Sequence, residues 1–340
     1  MNTDAGTGGE RGRGRLGGPT DVARSSPVRT IFVGSGPFAV PVLRRLAAAP
    51  EISLVGVVTA PPRPAGRHLW LVPSAVAAAA TELVRGPILS PERLRADAAV
   101  AAVLDLAPGL IVLADYGQIV PAALLDVTFG ALNLHPSLLP RHRGASPIPA
   151  TILAGDERTG VSLMRMDAGL DTGPLVAVES IELAGDETTP VLEARLAGIG
   201  AELLARSLGP WLRGELPAEP QAAEGMTLTR PLRRSDGRLD PDRSIIELER
   251  QVRAYQPWPG SWFRVAGLRV LVHSAEIVPG PLRDVPGRLT ASDGLALVAA
   301  DGILSLGDVQ PAGGRRMSAA DLRRGHPELV GARIDGTEPD

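Results

Sequence analysis

The chain has 340 residues, enough for two domains of ordinary size, and its 44% hydrophobic and 21% charged residues give the balance of a globular protein rather than a disordered one. It contains no cysteine and no lysine, all 35 basic residues being arginine, which excludes disulfides, thiolate metal sites, a cysteine nucleophile, a Schiff-base lysine and a phosphate-loop lysine. The net charge of −3 does not announce a nucleic-acid binder, and no apolar run reaches the ~18 residues of a membrane span, so the expected location is the cytoplasm.

Residues 1–27 are rich in glycine, with four arginines set against Asp4, Glu10 and Asp21; lacking an apolar core, they read as a disordered tail and not as a targeting signal. RTIFVG (29–34) is a short apolar strand ended by glycine. PFAVPVLRRLAAAP then sets Pro37 in a first helical turn and Pro50 at its stop. At their junction GSGPFA places Gly34, Gly36 and Ala39 in the G-x-G-x-x-G/A spacing of a dinucleotide site. Such a site also needs an acid about 20 residues on, at the end of the second strand, to hold a ribose hydroxyl. That strand, SLVGVVT (53–59), runs into Ala60 and Pro61 with no acid. The glycines are therefore assigned to a tight strand-to-helix turn, and a nicotinamide-dependent enzyme is the weaker alternative.

PSAVAAAATEL (73–83) and PERLRADAAVAAVLDL (91–106) are expected helices; LIVLA (110–114) and ALNLH (131–135) are expected strands. Apolar strands alternating with helices indicate βαβ units and a mostly parallel sheet. GVSLMRM (160–166) and PLVAVESIEL (174–183) add strands whose direction is open, and residues 189–212 form a long amphipathic helix. Residues 213–231 lose periodicity, carry three prolines and read as a linker. After one more helix (244–256), short alternating strands at 261–267, 268–278, 287–292, 295–300 and 302–314 suit a small β-barrel. No internal repeat is visible.

The chemistry concentrates in NLHPSLLPRHRG (133–144) and DAGLDTGP (167–174). Alternation in ALNLH projects Asn133 and His135 to the same side, at the strand end where a ligand cleft of a parallel sheet lies. An amide donor beside an imidazole suits a carbonyl oxygen becoming an oxyanion, although a histidine at a strand end also serves structure. Asp171 lies in a turn-rich stretch between Gly169 and Gly173. A carboxylate near an imidazole favours its charged form and fixes its tautomer; the bland alternative is an ordinary turn aspartate. Together the three would stabilise a tetrahedral intermediate and move a proton, the attacking group belonging to the substrate.

At these residues the chain resembles the 10-formyltetrahydrofolate-dependent formyltransferases. NLHPSLLPRHRGASPI and AGDERTGVSLMRMDAGLDTGPL carry the likeness. RPAGR (63–67), PSAV (73–76), YGQIVP (116–121), RAYQPWPGSW (253–262) and DGILSLGDVQPAGGRRMSAADL (301–322) extend it, in order, to the branch of that family that acts on methionyl-tRNA, across about residues 29–333. The resemblance implies a Rossmann-like formyltransferase domain over 28–212, the linker 213–231, and an OB-like β-barrel over 232–334 that binds tRNA. It implies Asn133, His135 and Asp171 as the catalytic set, and Ser137, Leu138, Leu139 and Pro140 as a wall for the folate formyl donor. It implies initiator methionyl-tRNA as acceptor, no metal, no membrane partner and a monomer. Arg63, Arg67 and Trp70, in the insertion after the second strand, and Arg233, Arg234, Arg315 and Arg316 are the candidate tRNA contacts.

Three positions depart from the family pattern. His68-Leu69-Trp70 replaces basic residues, so that Trp70 either stacks on a terminal base or packs on the domain. Pro136 follows the catalytic histidine in place of glycine and stiffens the turn. Asp115 replaces a small apolar residue and either reshapes the acceptor pocket or sits exposed. A formyltransferase for an amino sugar nucleotide shares the same three catalytic residues and is the principal alternative; a non-enzymatic RNA-binding module is a third.

Overall fold

The structure, a computed structural model, describes residues 26–66, 69–278 and 284–335; the expected disorder of the glycine-rich tail falls almost entirely on residues outside that range. The first half runs β1 (Val28–Gly34), α1 (Ala39–Ala47), β2 (Ile52–Val58), an antiparallel pair β3 (Arg63–Ala65) and β4 (Trp70–Val72), α2 (Ala75–Leu83), β5 (Ile88–Leu89), α3 (Asp97–Leu104), β6 (Leu110–Ala114), β7 (Ala131–His135), β8 (Arg143–Gly144), α4 (Pro147–Ala154), β9 (Arg158–Arg165), β10 (Leu175–Glu182) and α5 (Thr189–Leu212). Seven of these strands form one sheet in the order β10-β9-β7-β6-β1-β2-β5. The five strands from β7 to β5 are parallel; β9 pairs antiparallel with β7, and β10 pairs antiparallel with β9.

The central strands are rich in apolar residues, β6 (LIVLA) at every position, because both faces of the sheet are covered. In β1, Phe32 joins the core under α1 and α5, while Ile31 and Val33 join the core on the opposite face with Leu94 and Val103. β6 divides the same way, Val112 to one side and Ile111 and Leu113 to the other. The chain leaves β1 for β2 on one side and crosses to β6 on the other. This reversal opens a crevice at the carboxyl ends of the strands, where ligands of such sheets bind.

Two expectations meet a local correction. The helix expected over 91–106 forms only from Asp97, because the stretch before it is pinned in turns: Leu94 is fully buried, its N–H donates to the Gln118 side-chain oxygen (2.8 Å), and the Gln118 amide donates to the Pro91 carbonyl (3.2 Å). At the end of β2, where a dinucleotide site needs its acid, the Thr59 hydroxyl instead bonds the Ser74 hydroxyl (2.6 Å), and Ser74 caps α2 by accepting from the Ala77 N–H. The glycines at 34 and 36 serve packing: a Cβ on Gly36 would lie 1.8 Å from an Asp115 carboxylate oxygen.

The second half contains β11 (Leu228–Thr229), α6 (Ile245–Ala254), β12 (Ser261–Val265), β13 (Leu268–Val272), β14 (Ala275–Val278), β15 (Leu289–Ala291), β16 (Leu295–Val298), β17 (Ile303–Leu306), β18 (Asp308–Pro311), β19 (Met317–Ser318) and α7 (Ala319–Gly325). Two four-stranded antiparallel sheets result, β12-β13-β18-β19 and β14-β17-β16-β15, around a separate apolar core that includes Leu248, Phe263, Val270, Leu297 and Val309. Each of the runs 268–278 and 302–314, read from the sequence as one strand, is two. They bend together where Ser274 faces Gly307: the Gly307 N–H donates to the Ser274 carbonyl and the Asp308 N–H to its hydroxyl. Each run so passes from one sheet to the other, and no closed barrel forms among the described residues. α6 begins on a capping box in which Ser244 and Glu247 satisfy each other's backbone N–H. Arg243, and then the Ser244 N–H and hydroxyl, hold the Glu247 carboxyl down to about 2.

Candidate active site

A cavity of about 680 Å³ opens at the carboxyl ends of β6 and β7, within the size range of small-molecule sites. Phe38, Asp115, Tyr116, Asn133, His135 and Asp171 are among the residues that line it. Asn133 and His135 leave β7 on one face, as the alternation required, and both are buried. The DAGLDTGP loop, between β9 and β10, brings Asp171 to them. One Asp171 oxygen (Oδ1) accepts from the Asn133 amide at 3.4 Å, and the other (Oδ2) accepts from the Gly144 N–H at 2.8 Å and lies 3.6 Å from His135 Nδ1. The three side chains predicted to act together therefore stand together.

The other ring nitrogen of His135 is committed. Nε2 lies 2.9 Å from the His142 carbonyl oxygen, which only accepts, so Nε2 carries the hydrogen and Nδ1 is left to face Asp171 and the cavity. Pro136 lies in the middle of a three-residue turn closed by the Ser137 N–H donating to the His135 carbonyl (2.9 Å), a bend that a proline ring stiffens.

His142 is itself buried with φ +59. Its Nε2 donates to Asp156 (2.7 Å), and Arg141 grips the same carboxylate through two nitrogens. Burial pushes the His142 imidazole below its ordinary range, outweighing Asp156. Burial alone would raise Asp156, but the hydrogen bonds from Arg141 and His142 prevail and hold it below the usual carboxylate range. The Thr227 hydroxyl oxygen accepts from the His142 N–H (2.8 Å) and lies 3.3 Å from His142 Nδ1, so that the hydroxyl hydrogen can meet a neutral ring.

Ser137, Leu138, Leu139 and Pro140 follow His135 directly, beside the cavity rather than among the residues that line it. Ser137 is fully buried, its hydroxyl donates to the Arg141 carbonyl (2.6 Å), and its carbonyl accepts from the Ser162 hydroxyl (2.8 Å); the Leu139 N–H donates to Ser162 in turn. Leu138 packs against Gly160 of β9. The apolar side chains that do reach the cavity with high exposure are Ile119 (80%) and Leu170 (61%), on the loops after β6 and β9.

Asp115 resolves toward the cavity. Its surface is open there, yet the surrounding protein strips enough water from the carboxyl to push it above the usual range. Glu193 of α5 lines the same space and is raised by burial and then by Asp115. Tyr116 also lines the cavity. Its hydroxyl is buried, has no hydrogen-bond partner among the described residues, and is pushed up to about 12 by burial.

The candidate tRNA contacts lie elsewhere. Arg63 is exposed on β3 and Trp70 is 73% exposed on β4, its ring not packed into the domain; Arg67 and His68 lie outside the described residues. Arg233 and Arg234 are exposed beside β12, where Trp262 donates its indole N–H to the Arg234 carbonyl (3.2 Å). Arg315 and Arg316 precede β19 at the opposite edge of the same sheet, and Arg316 is paired with Asp308. A cluster that no sequence signal marks lies between these edges: Arg269 of β13 stacks over Trp262 at 4.2 Å, and burial, Arg264 and Arg234 lower its guanidinium below the ordinary range. Nor does any sequence signal mark His142, Thr227 and Gln221, which touch the site through other residues and lie on stretches without periodicity.

The chain matches the family described as "Formyl transferase" over residues 28–208 and "Formyl transferase, C-terminal domain" over residues 231–327. It is 42% identical over 311 residues to the methionyl-tRNA formyltransferase of Roseiflexus sp. (strain RS-1), covering 91% of this chain and 95% of that one. It is 42% identical over 310 residues to the methionyl-tRNA formyltransferase of Myxococcus xanthus, covering 90% and 97%. Among solved structures, HypX from Aquifex aeolicus in complex with tetrahydrofolic acid superposes with a TM-score of 0.60 at 17% identity, over 90% of this chain and 48% of that one. An N-formyltransferase from Helicobacter canadensis superposes at 0.59 and 12% identity, over 85% and 100%. At those identities the two structures speak for the shared fold.

Proposed function

The chain belongs to the formyl transferase family, and from that premise we propose that it moves the formyl group of 10-formyltetrahydrofolate onto the α-amine of methionine esterified to initiator tRNA. The observation that carries the chemistry is the convergence of Asn133, His135 and Asp171 on one cavity wall. The neutral α-amine attacks the formyl carbon, the carbon–nitrogen bond forms, and the carbonyl oxygen becomes an oxyanion. Asn133 turns its amide from the long contact with Asp171 to that oxygen. His135, charged, offers its Nδ1–H, because Nε2–H is given to His142. Asp171 balances the imidazolium and takes the amine proton through water. Collapse breaks the bond to N10 of the folate, which leaves with that proton. Losing one such oxyanion donor costs about 10²–10³ in rate.

The folate lies between the loops that present Ile119 and Leu170, and the free Tyr116 hydroxyl meets one of its polar edges. Ser137, Leu138, Leu139 and Pro140, in the turn that follows His135, give the donor an apolar wall on this reading. The C-terminal antiparallel unit, read as a variant of an OB-like barrel, holds the tRNA through the arginines gathered at Trp262, and Trp70 stacks on a base near the acceptor end. On this reading the enzyme works as a monomer in the cytoplasm; no described helix is long and apolar enough to cross a membrane. The 42% identity across both halves favours methionyl-tRNA over the amino sugar alternative. Purified protein supplied with 10-formyltetrahydrofolate and charged initiator tRNA is expected to yield formylmethionyl-tRNA. Transfer to a nucleotide-linked sugar amine with none to the tRNA would reverse the choice.

A further inference from the structure

We propose that the segment joining the two domains braces the active site, with Gln221 a positioning residue for Asp171; this rests on the reading of Asp171 as catalytic. Asp171 has φ +52, in the left-handed region that aspartate enters more readily than most side chains but still at a cost that outside hydrogen bonds can offset. The holding group is the Gln221 side-chain amide, which spends one hydrogen on the Asp171 carbonyl and one on the Gly173 carbonyl, each at 2.8 Å. Its orientation is forced from the other end, because Arg143 donates two hydrogens to Gln221 Oε1, at 3.0 and 2.6 Å. A flipped amide would set donors against donors and leave two carbonyls facing an oxygen. Two residues earlier, Glu219 exchanges backbone hydrogen bonds with Leu175, at 2.7 and 2.8 Å, which docks the segment on the first strand residue after the loop.

The same segment reaches the remaining groups. Thr227 holds His142, whose carbonyl takes the His135 hydrogen. Thr229 lies against Gly144, which donates to Asp171 and has no room for a side chain: at φ +107 a Cβ would lie 2.2 Å from the Thr229 carbonyl oxygen. Gln221 and Thr227 do not line the cavity, so their effect passes through Asp171 and His135. Reacting groups displaced by about 1 Å lose on the order of 10²-fold in rate.

The decisive variant is Gln221→Glu, which keeps a partner for Arg143 and so the docking of the segment, but has no hydrogens for the two carbonyls. Gln221→Leu removes both functions. Both are expected to lower kcat about tenfold to a hundredfold, leave both KM values within about twofold, and speed amide exchange in residues 167–173. In an Asp171→Asn background, Gln221→Glu is expected to add less than about twofold, because both changes act at one point. Unchanged kcat in Gln221→Glu overturns the brace, and so does a full multiplicative loss on top of Asp171→Asn. If Gln221→Leu does not fold, Gln221→Glu still decides. If the wild-type protein does not formylate methionyl-tRNA, the functional reading falls. Exchange at 167–173 then judges the brace alone, and equal exchange in wild type and Gln221→Glu overturns it.

Discussion

His135 gives its Nε2 hydrogen to the carbonyl of His142 across 2.9 Å, so the nitrogen turned toward Asp171 is Nδ1. A backbone oxygen thereby selects which face of the imidazole does chemistry, and the ring needs no rearrangement when substrate arrives. His135→Ala is expected to abolish turnover, by at least about 10²–10³ in kcat, while the dissociation constant for the folate donor changes little. Rapid-quench kinetics with equilibrium binding checks this. Equal losses in binding and in chemistry would make His135 a scaffold residue.

Tyr116 leads to a prediction with two signs. Its buried hydroxyl lacks a partner among the described residues, so removing it relieves a desolvation cost of about 1–3 kcal/mol in the empty protein. Tyr116→Phe is expected to raise the melting temperature of the ligand-free protein while weakening donor binding about tenfold. Calorimetry and binding titration read the two effects separately. A variant that loses stability would show that the hydroxyl already has a use.

Acid is expected to weaken the fold through His142. Its folded value lies below the ordinary one near 6.5, because burial disfavours the charged ring. As pH falls through 6.5 the unfolded chain takes up a proton that the folded chain refuses, so stability drops from there downward. Asp156 acts in the same direction at lower pH: its depressed value gives stability that is present above the unfolded carboxyl value and is lost as pH falls through the folded one. His142→Asn keeps a residue that tolerates φ +59 and removes the first loss. Melting temperatures at pH 7 and 5.5 are expected to differ more in the wild type than in this variant; parallel slopes would refute the assignment.

The Arg269–Trp262 stack predicts where RNA phosphate is felt. Arg269→Gln is expected to weaken tRNA binding and reduce the slope of log affinity against log salt by about one. Trp70→Ala, on β4, is expected to raise KM for charged tRNA without changing the salt slope, since stacking carries no charge. An unchanged slope in the first variant would move the phosphate path to another face.

What was legible in the sequence followed local physics. ALNLH and the helix over 189–212 were read with their observed bounds because periodicity, glycine and proline act within a few residues of where they stand. Strand alternation sets Asn133 and His135 on one side; that Asp171 meets them there, as the structure has it, is legible from the family resemblance and not from the glycine-flanked turn alone. Gln221 was not. It lies 50 residues from Asp171, in a proline-bearing stretch without periodicity, and its value arises only when Arg143 turns its amide. The helix over 91–106 was over-extended because Gln118, 24 residues beyond Leu94, captures the backbone that helical propensity would have used. The folate wall at Ser137–Pro140 is an expectation of the family resemblance alone; what no local pattern shows is how the turn is anchored, Leu138 against β9 and Ser137 to Arg141 and Ser162.

The bend at Ser274 and Gly307 has a mechanical result. Two continuous stretches of backbone each serve both antiparallel sheets, so neither sheet can melt while the other stays whole. Heat or denaturant is expected to take the C-terminal unit apart in one transition, and a break introduced at that corner would cost it both layers at once.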